Sequence, residues 1–268
     1  MTAATPETPA GSPSDSPADS PADSPAAGPA AVFRTMGTVV SFRAPLAVRA
    51  AFTADLQQVF REHDERFSLY RPDSELSRVA AGHLALSRSS EELRDMYALA
   101  VEWRNATGSL FQPNAPDGRL DLNGVVKADA IHRAGMFLEQ QGVTDWSLNC
   151  GGDILCSGLQ SPGVPWTIGI ADPADRTALV ATVATSPTRR AIATSGTSER
   201  GQHIWPRTRR EAGAPLDQVT VAAADILTAD VLATAICAGG SGSIRDLAER
   251  FGVDVWAIDG DRQLIRTP

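Results

Sequence analysis

Residues 146–196 read WSLNCGGDILCSGLQSPGVPWTIGIADPADRTALVATVATSPTRRAIATSG, and they contain five short strand-like segments in close succession. A sixth segment, QVTVAAA, follows at residues 218–224. Short apolar or alternating runs separated by glycine, proline and serine are typical of strands joined by hairpins. This density of strands predicts an antiparallel or mixed sheet.

Helical patterns occur in the sequence both before and after these strands. The Ser-Ser-Glu-Glu sequence at residues 89–92 offers a capping box for one of the helices. Apolar residues at helical spacing predict helices from the residue after Pro45 to Phe67, over residues 89–108 and 125–141, and near 227–238 and 243–251. A closing hairpin is predicted at residues 255–266, VWAIDGDRQLIR. The order helices, strands, helices, hairpin predicts an α+β fold in one domain.

The N-terminal segment has a different composition. Residues 1–30 hold seven of the 18 prolines, four acidic residues and no basic residue, with SPSDSPADSPADSPA as a short repeat. Such a segment buries too little apolar surface to offset its ordering entropy. From Val32 the sequence VFRTMGTVVSFRA alternates like a half-buried strand. We therefore predict a disordered tail over residues 1–31 and a folded domain over residues 32–268.

The composition excludes several classes of protein. Lys plus Arg total 24 against 32 for Asp plus Glu, and the net charge of -8 argues against a nucleic acid partner. No stretch approaches the roughly 18 apolar residues of a membrane-spanning helix, and the first 30 residues lack the features of a signal peptide. We therefore expect a cytoplasmic protein without membrane insertion. Three cysteines without a C-x-x-C pair argue against a disulfide scaffold and against a thiolate zinc site.

One candidate site lies in LDLNGVVKADA, residues 120–130. Lys127 is the only lysine of the sequence, and its compact charge suits contact with a phosphate or a ring edge. Asn123 and Gly124 let the backbone approach a ligand where a helix begins, and a helix start favours anions. The alternatives are a compositional accident at Lys127 and an ordinary loop-to-helix turn before it.

A second candidate is TADVLATA, residues 228–235, where Asp230 and Thr234 lie four residues apart on one helical face. Their oxygens suit a hard cation such as Mg²⁺. The alternative is a solvated acid and a threonine that bonds back to its own helix.

Other polar positions give weaker signals. His203 is the one histidine in a candidate binding loop, ATSGTSERGQHIWP, whereas His63 and His83 have the pattern of surface residues. The Gly-Gly sequence within residues 149–153 is typical of a tight turn between strands. The motifs of a dinucleotide-binding fold and of a P-loop do not occur.

Taken together and in order, seven segments resemble the ApbE family, the FAD:protein FMN transferases. They are MGTVVSF (36–42), DERFSLYRPDSELSR (64–78), TGSLFQPN (107–114), LDLNGVVKADAIHRAG (120–135), LNCGGDILCSG (148–158), ATSGTSERGQHI (193–204) and VTVAAADILTADVLATA (219–235). The resemblance runs from about residue 32 to the end of the chain.

The resemblance implies a Mg²⁺-dependent enzyme. In this family FAD is split at its pyrophosphate, FMN is attached to a threonine hydroxyl of a target flavoprotein, and AMP is released. By similarity, the metal ligands are Asp230, Thr234 and the backbone carbonyl of Gly124. Asp230 is also a candidate proton acceptor, with His203 as its rival. The positions that by similarity contact FAD are Met36, Tyr70, Leu110, Phe111, Gln112, Asp121, Lys127, Ser195, Gly196 and Ile204.

Three positions depart from the family's pattern. HIWPRTRREAGAP, from His203 on, lacks the family's aspartate and its Thr-Gly pair. Gln112 stands where the family usually has aspartate, and Ala128 stands where glycine usually follows the lysine. Two alternatives to the transferase therefore remain: an FAD-binding protein without transfer, and a Mg²⁺-dependent FAD pyrophosphatase that gives FMN and AMP.

Overall fold

A large antiparallel sheet lies at the centre of the fold. A computed structural model describes residues 29–196 and 213–267 of the chain. Its strands are β1 (Ala31–Thr35), β2 (Thr38–Arg43), β3 (Trp146–Cys150), β4 (Asp153–Ser157), β5 (Leu159–Ser161), β6 (Val164–Pro165), β7 (Thr167–Ala171), β8 (Leu179–Ala184), β9 (Ala191–Gly196), β10 (Leu216–Ala223), β11 (Asp254–Asp259) and β12 (Leu264–Arg266). Eight of them form the sheet in the order β1-β2-β3-β4-β9-β10-β11-β12, while β5 pairs with β6 and β7 with β8. All of these pairs are antiparallel.

Six α-helices accompany the strands in the described part of the chain. They are α1 (Leu46–Phe67), α2 (Glu75–Ala80), α3 (Glu91–Ala106), α4 (Asn123–Gln140), α5 (Ile226–Gly239) and α6 (Ile244–Phe251). The predicted α+β class is confirmed, as are five of the helices to within a few residues. Helix α2 was not predicted, because a helix of six residues is too short to show a period.

The first predicted strand is in fact a hairpin of β1 and β2. Thr35 pairs with Thr38, and the turn between them consists of Met36 and Gly37, which have φ values of 50° and 68°. Two-residue hairpin turns of this kind need positive φ at both central residues, which is strained for methionine. The alternation of VFRTMGTVVSFRA continues across the turn, so the period alone does not show it.

Helix α3 begins differently from the prediction. The Ser90 side chain accepts from the backbone N–H of Leu93, so Ser90 is the N-cap, whereas the Ser89 hydroxyl donates to the carbonyl of Leu86. The Glu75 carboxylate accepts from the backbone N–H and from the hydroxyl of Ser90, each at 2.5 Å. The predicted capping box from residue 89 is therefore wrong, because the acid that completes the cap comes from α2.

The main core lies between the sheet and the helices. α5 packs against β9, β10 and α4, and its side chains are small and buried around most of its circumference. A helix that is apolar on all sides belongs in an interior. The opposite face of the sheet carries a smaller cluster, which the β7–β8 hairpin covers. α5 is therefore held between this sheet and α4.

Two further sequence predictions concern the N-terminal segment and membrane-spanning helices. The predicted tail falls largely on residues 1–28, which lie outside the described residues, and β1 begins at Ala31. Among the described residues, the helices are too short or too polar for any of them to cross a membrane.

Candidate active site

A cavity of about 450 Å³ opens where the end of α1, the starts of α4 and α5 and the end of β9 meet. This volume lies within the usual range of ligand pockets. Its walls consist of Met36, Gly37, Asp64, Phe67, Ser68, Tyr70, Phe111, Gln112, Asp121, Asn123, Gly124, Val126, Lys127, Gly151, Thr194, Ser195, Gly196, Asp230 and Thr234.

Eleven of the fourteen predicted site residues line this cavity. Leu110 does not, because its side chain packs against the main core beside Gly239. His203 and Ile204 lie outside the described residues. Segments far apart in sequence therefore meet at one place, although the ligand contacts predicted for them stay predictions.

The charged centre of the site consists of Lys127, Asp153 and Asp230. The Lys127 ammonium group is paired with the Asp153 carboxylate, and its Nζ lies 3.7 Å from Asp230 Oδ2. The Asp153 side chain is fully buried, that of Asp230 is 5% exposed, and that of Lys127 is 18% exposed. Two buried carboxylates thus lie within 4.0 Å of one ammonium group.

A row of hydroxyl groups lies between β9 and its neighbours. Ser195 Oγ lies 3.1 Å from Thr234 Oγ1, which joins the end of β9 to α5. Thr194 Oγ1 lies 2.9 Å from Thr220 Oγ1 on β10. The Thr234 hydroxyl therefore makes a hydrogen bond to a side chain of the cavity wall. The alternative of a threonine that bonds back to its own helix does not account for this contact.

The start of α4 forms another wall. The Asp121 carboxylate accepts from the backbone N–H of Asn123 at 3.0 Å, which turns the chain into the helix. At Gly124 an added Cβ would lie 2.6 Å from Cε2 of the buried Phe111 ring, and the Phe111 N–H in turn donates to Thr107 Oγ1. The close packing of the Phe111 ring therefore favours glycine at residue 124.

The donor set in the cavity fits a hard divalent cation. Asp230 and Thr234 bring side-chain oxygens to the cavity wall, Gly124 adds a backbone carbonyl to the same wall, and oxygen is the ligand atom that Mg²⁺ prefers. No group of three His, Cys, Asp or Glu side chains that could hold a metal occurs among the described residues. An ion here would therefore rely on hydroxyl, backbone or substrate oxygens beside Asp230.

Some residues of the cavity wall were not among the predicted site residues. Asp64 lines the cavity but was not predicted as a site residue. Its place at the start of the family-like motif DERFSLYRPDSELSR could have indicated it. Burial raises the pKa of the Asp64 carboxyl group, and the Arg71 guanidinium opposes the shift. The other wall residues outside the fourteen predicted ones are Gly37, Phe67, Ser68, Asn123, Val126, Gly151 and Thr194.

The interpretation of His63 as a surface residue is wrong. Its side chain is 6% exposed, its ring lies 4.6 Å from the Phe67 ring, and Nε2 lies 3.3 Å from Asp129 Oδ2. Burial lowers the pKa of His63 to about 4, although the Asp129 carboxylate opposes the shift. His63 therefore belongs to the α1–α4 interface behind the cavity.

The fold and the cavity together define an α+β protein with a pocket at the junction of helices and sheet. The model of the ApbE family matches residues 36–116 and 113–257. The chain belongs to the ApbE family.

Curated relatives carry the name FAD:protein FMN transferase. The protein of Vibrio cholerae serotype O1 is 29% identical over 180 residues, which are 63% of this chain and 54% of that protein. The protein of Escherichia coli K12 is 27% identical over 166 residues, 59% of this chain and 47% of that protein. The chain therefore spans about half the length of the curated relatives it matches.

Solved structures show the same fold. The flavin transferase ApbE from Vibrio cholerae has a TM-score of 0.69 at 21% identity and covers 89% of this chain and 96% of its own. The flavinyl transferase ApbE from Pseudomonas stutzeri, in its apo form, has a TM-score of 0.71 at 18% identity, covering 89% and 94%.

Proposed function

We propose that this chain is a Mg²⁺-dependent FAD:protein FMN transferase, which attaches FMN to a threonine hydroxyl of a target flavoprotein. The observation that carries the proposal is the meeting of eleven predicted positions in one cavity of about 450 Å³. Family membership and the names of the curated relatives support it. The cytoplasmic location expected from the sequence stays a prediction.

The reaction is a phosphoryl transfer. The threonine oxygen forms a bond to the phosphorus that carries riboflavin, and the bond from that phosphorus to the bridging oxygen breaks. AMP leaves with the bridging oxygen, and the hydroxyl proton passes to a base. Asp230 is the candidate base in the cavity wall, while His203, which lies outside the described residues, is the other candidate. Catalysis of this kind depends mainly on positioning and on neutralising charge.

Each wall of the cavity has a part in holding FAD. Lys127 places a positive charge beside the pyrophosphate, and the start of α4 presents backbone N–H groups that favour anions. Phe111 and the exposed ring of Tyr70 supply flat apolar surface for the flavin or the adenine. Ser195 and Thr234 offer hydroxyl groups to phosphate oxygens or to a metal ion.

Asp230, Thr234 and the Gly124 carbonyl would hold the Mg²⁺. When bound, such a cation offsets the charge that develops on the pyrophosphate oxygens. The shared ammonium of Lys127 leaves negative charge at Asp230 and Asp153, which favours a cation at this place.

The test is incubation with FAD, Mg²⁺ and a small acceptor domain that carries the target threonine, followed by intact mass of the acceptor. A gain of one FMN unit that disappears with EDTA, and with a threonine-to-alanine acceptor, is the expected result. Free FMN and AMP with an unmodified acceptor would instead identify a pyrophosphatase. Intact FAD with each acceptor tested would favour an FAD-binding protein without transfer.

A further inference from the structure

Asp153 lies directly behind the cavity and is not one of the residues proposed above to hold the cation or FAD. It is the first residue of β4, its side chain is fully buried, and it is not part of the cavity wall. Its Oδ1 accepts from the backbone N–H of Thr194 at 3.3 Å, and its Oδ2 faces the Lys127 ammonium group. Asp153 therefore connects β4 with β9 and α4.

The ammonium group of Lys127 is not shared equally. It is in direct contact with Asp153, whereas the 3.7 Å between Nζ and Asp230 Oδ2 exceeds the length of a charge-assisted hydrogen bond. If Asp153 lost its charge, Asp230 would attract the ammonium group strongly, since charges interact more strongly away from water.

We propose that Asp153 is a positioning residue, which holds the Lys127 ammonium group away from Asp230 and so leaves the Asp230 carboxylate open to a divalent cation. This inference rests on the proposed function, because it assumes that Asp230 binds Mg²⁺. Groups that orient a metal ligand from behind commonly change metal affinity by about ten- to a hundredfold.

The test measures Mg²⁺ binding to the full chain by calorimetry, with and without FAD. Asp153→Asn preserves the size of the side chain, and we expect it to raise the Kd for Mg²⁺ about tenfold or more. Asp254→Asn is the matched control, because it breaks an ion pair with Arg189 on a different part of the sheet. We expect the control to bind Mg²⁺ as the wild type does.

A second variant separates positioning from direct ligation. In Lys127→Met combined with Asp153→Asn, no ammonium group is present to compete with a cation for Asp230. We expect this double variant to recover the Mg²⁺ affinity that the single variant loses. If Asp153 were itself a ligand, the double variant would stay as weak as Asp153→Asn, and this result would overturn the proposal.

A crystal structure of Asp153→Asn gives an independent readout. We expect Lys127 Nζ to move from 3.7 Å to about 3 Å from Asp230 Oδ2, which is hydrogen-bond distance. Unchanged Mg²⁺ affinity in Asp153→Asn, with binding by the wild type intact, would refute this inference alone. A wild-type chain that binds no Mg²⁺ with or without FAD would refute the cation site of the proposed function itself.

Discussion

At the scale of single residues, the most informative feature is a buried acid on an otherwise apolar helix. Asp230 is 3% exposed on α5, where most neighbouring side chains are small and buried. Burial of a carboxylate is costly unless an opposite charge or a ligand compensates it. Lys127 supplies part of that compensation at 3.7 Å.

Replacement of Asp230 by Asn is therefore expected to remove most of the turnover. The amide keeps the shape but not the charge, so cation binding and proton acceptance are both lost. We expect FMN transfer to fall by at least about a hundredfold, as when a single group that stabilises the transition state is removed. Initial rates of AMP release measure the effect.

The control for this substitution is Asp246→Asn, which changes an exposed acid on α6 that pairs with Arg250. Its transfer rate should equal that of the wild type. Full activity of Asp230→Asn with the same Mg²⁺ dependence would contradict the assignment of Asp230.

His63 makes stability depend on pH. Burial lowers the pKa of His63 from 6.5 to about 4, so between these values the unfolded chain binds the proton and the folded chain does not. This contribution is fully present above pH 6.5 and is lost as the pH falls towards 4. The free energy of unfolding should drop by about 3 kcal/mol across that window.

Denaturant titrations at several pH values measure this dependence. His63→Gln removes the titrating group, so the variant should lose less stability between pH 6.5 and 4 than the wild type does. Equal slopes for the two proteins would show that His63 is not responsible.

At the scale of elements, the position of α5 depends on how the helix begins. The Asp225 carboxylate accepts from the backbone N–H and from the hydroxyl of Thr228, at 2.8 Å each. Asp225 is thus the N-cap of the helix that carries Asp230 and Thr234. An N-cap side chain contributes about 1 kcal/mol.

Asp225→Ala should therefore lower the free energy of unfolding by about 1 kcal/mol. Asp225→Asn is the matched control, because asparagine caps helices as well as aspartate does. Urea unfolding measures both variants. Similar losses in the two variants would mean that the charge of Asp225, and not its cap, stabilises the helix.

The start of α4 contains Gly124, where the absence of a side chain leaves room for the Phe111 ring. In Gly124→Ala the new Cβ would lie 2.6 Å from Phe111 Cε2, so the ring or the helix must move. Overpacking of this kind costs about 1 to 3 kcal/mol. Thermal unfolding should show the loss, and FAD affinity should fall with it because Phe111 forms a cavity wall.

Gly260→Ala is the control for this substitution, since a Cβ at residue 260 would meet no atom within 4 Å. We expect its unfolding temperature to match that of the wild type. A Gly124→Ala protein as stable as this control would show that Phe111 yields without cost.

At the scale of the whole molecule, the cavity is assembled by the sheet order. β4 lies next to β9, and this adjacency brings Asp153 beside Thr194, although 41 positions separate them in the chain. α5 packs against β9, which places Asp230 and Thr234 opposite Ser195. The site therefore depends on the complete fold rather than on any one segment.

The segment before β1 contributes none of the described core. Deletion of residues 1–28 should leave the unfolding temperature and the transfer rate unchanged, because the packed elements begin at Ala31. Pro29 is retained in this variant, since its carbonyl accepts from Arg49. A large loss of stability or activity would show that the segment docks on the domain.

The sequence by itself determined the class of the fold, five helices and most strands, because these follow from local periodicity and turn chemistry. It also indicated Lys127 and the pair Asp230 and Thr234, because a lone lysine and an i, i+4 pair of oxygens are visible in one dimension. The hairpin at Met36 was not visible, because the alternation of β1 continues through the turn.

Only the tertiary structure decided which of these groups meet. The pairing of Lys127 with Asp153, the burial of His63 and the crowding of Gly124 by Phe111 each join residues from different elements. Burial and ion pairing depend on distances through space, which the packing of α4 and α5 on the sheet sets. The sequence therefore determined which chemical groups are present, and the fold decided which of them act on one another.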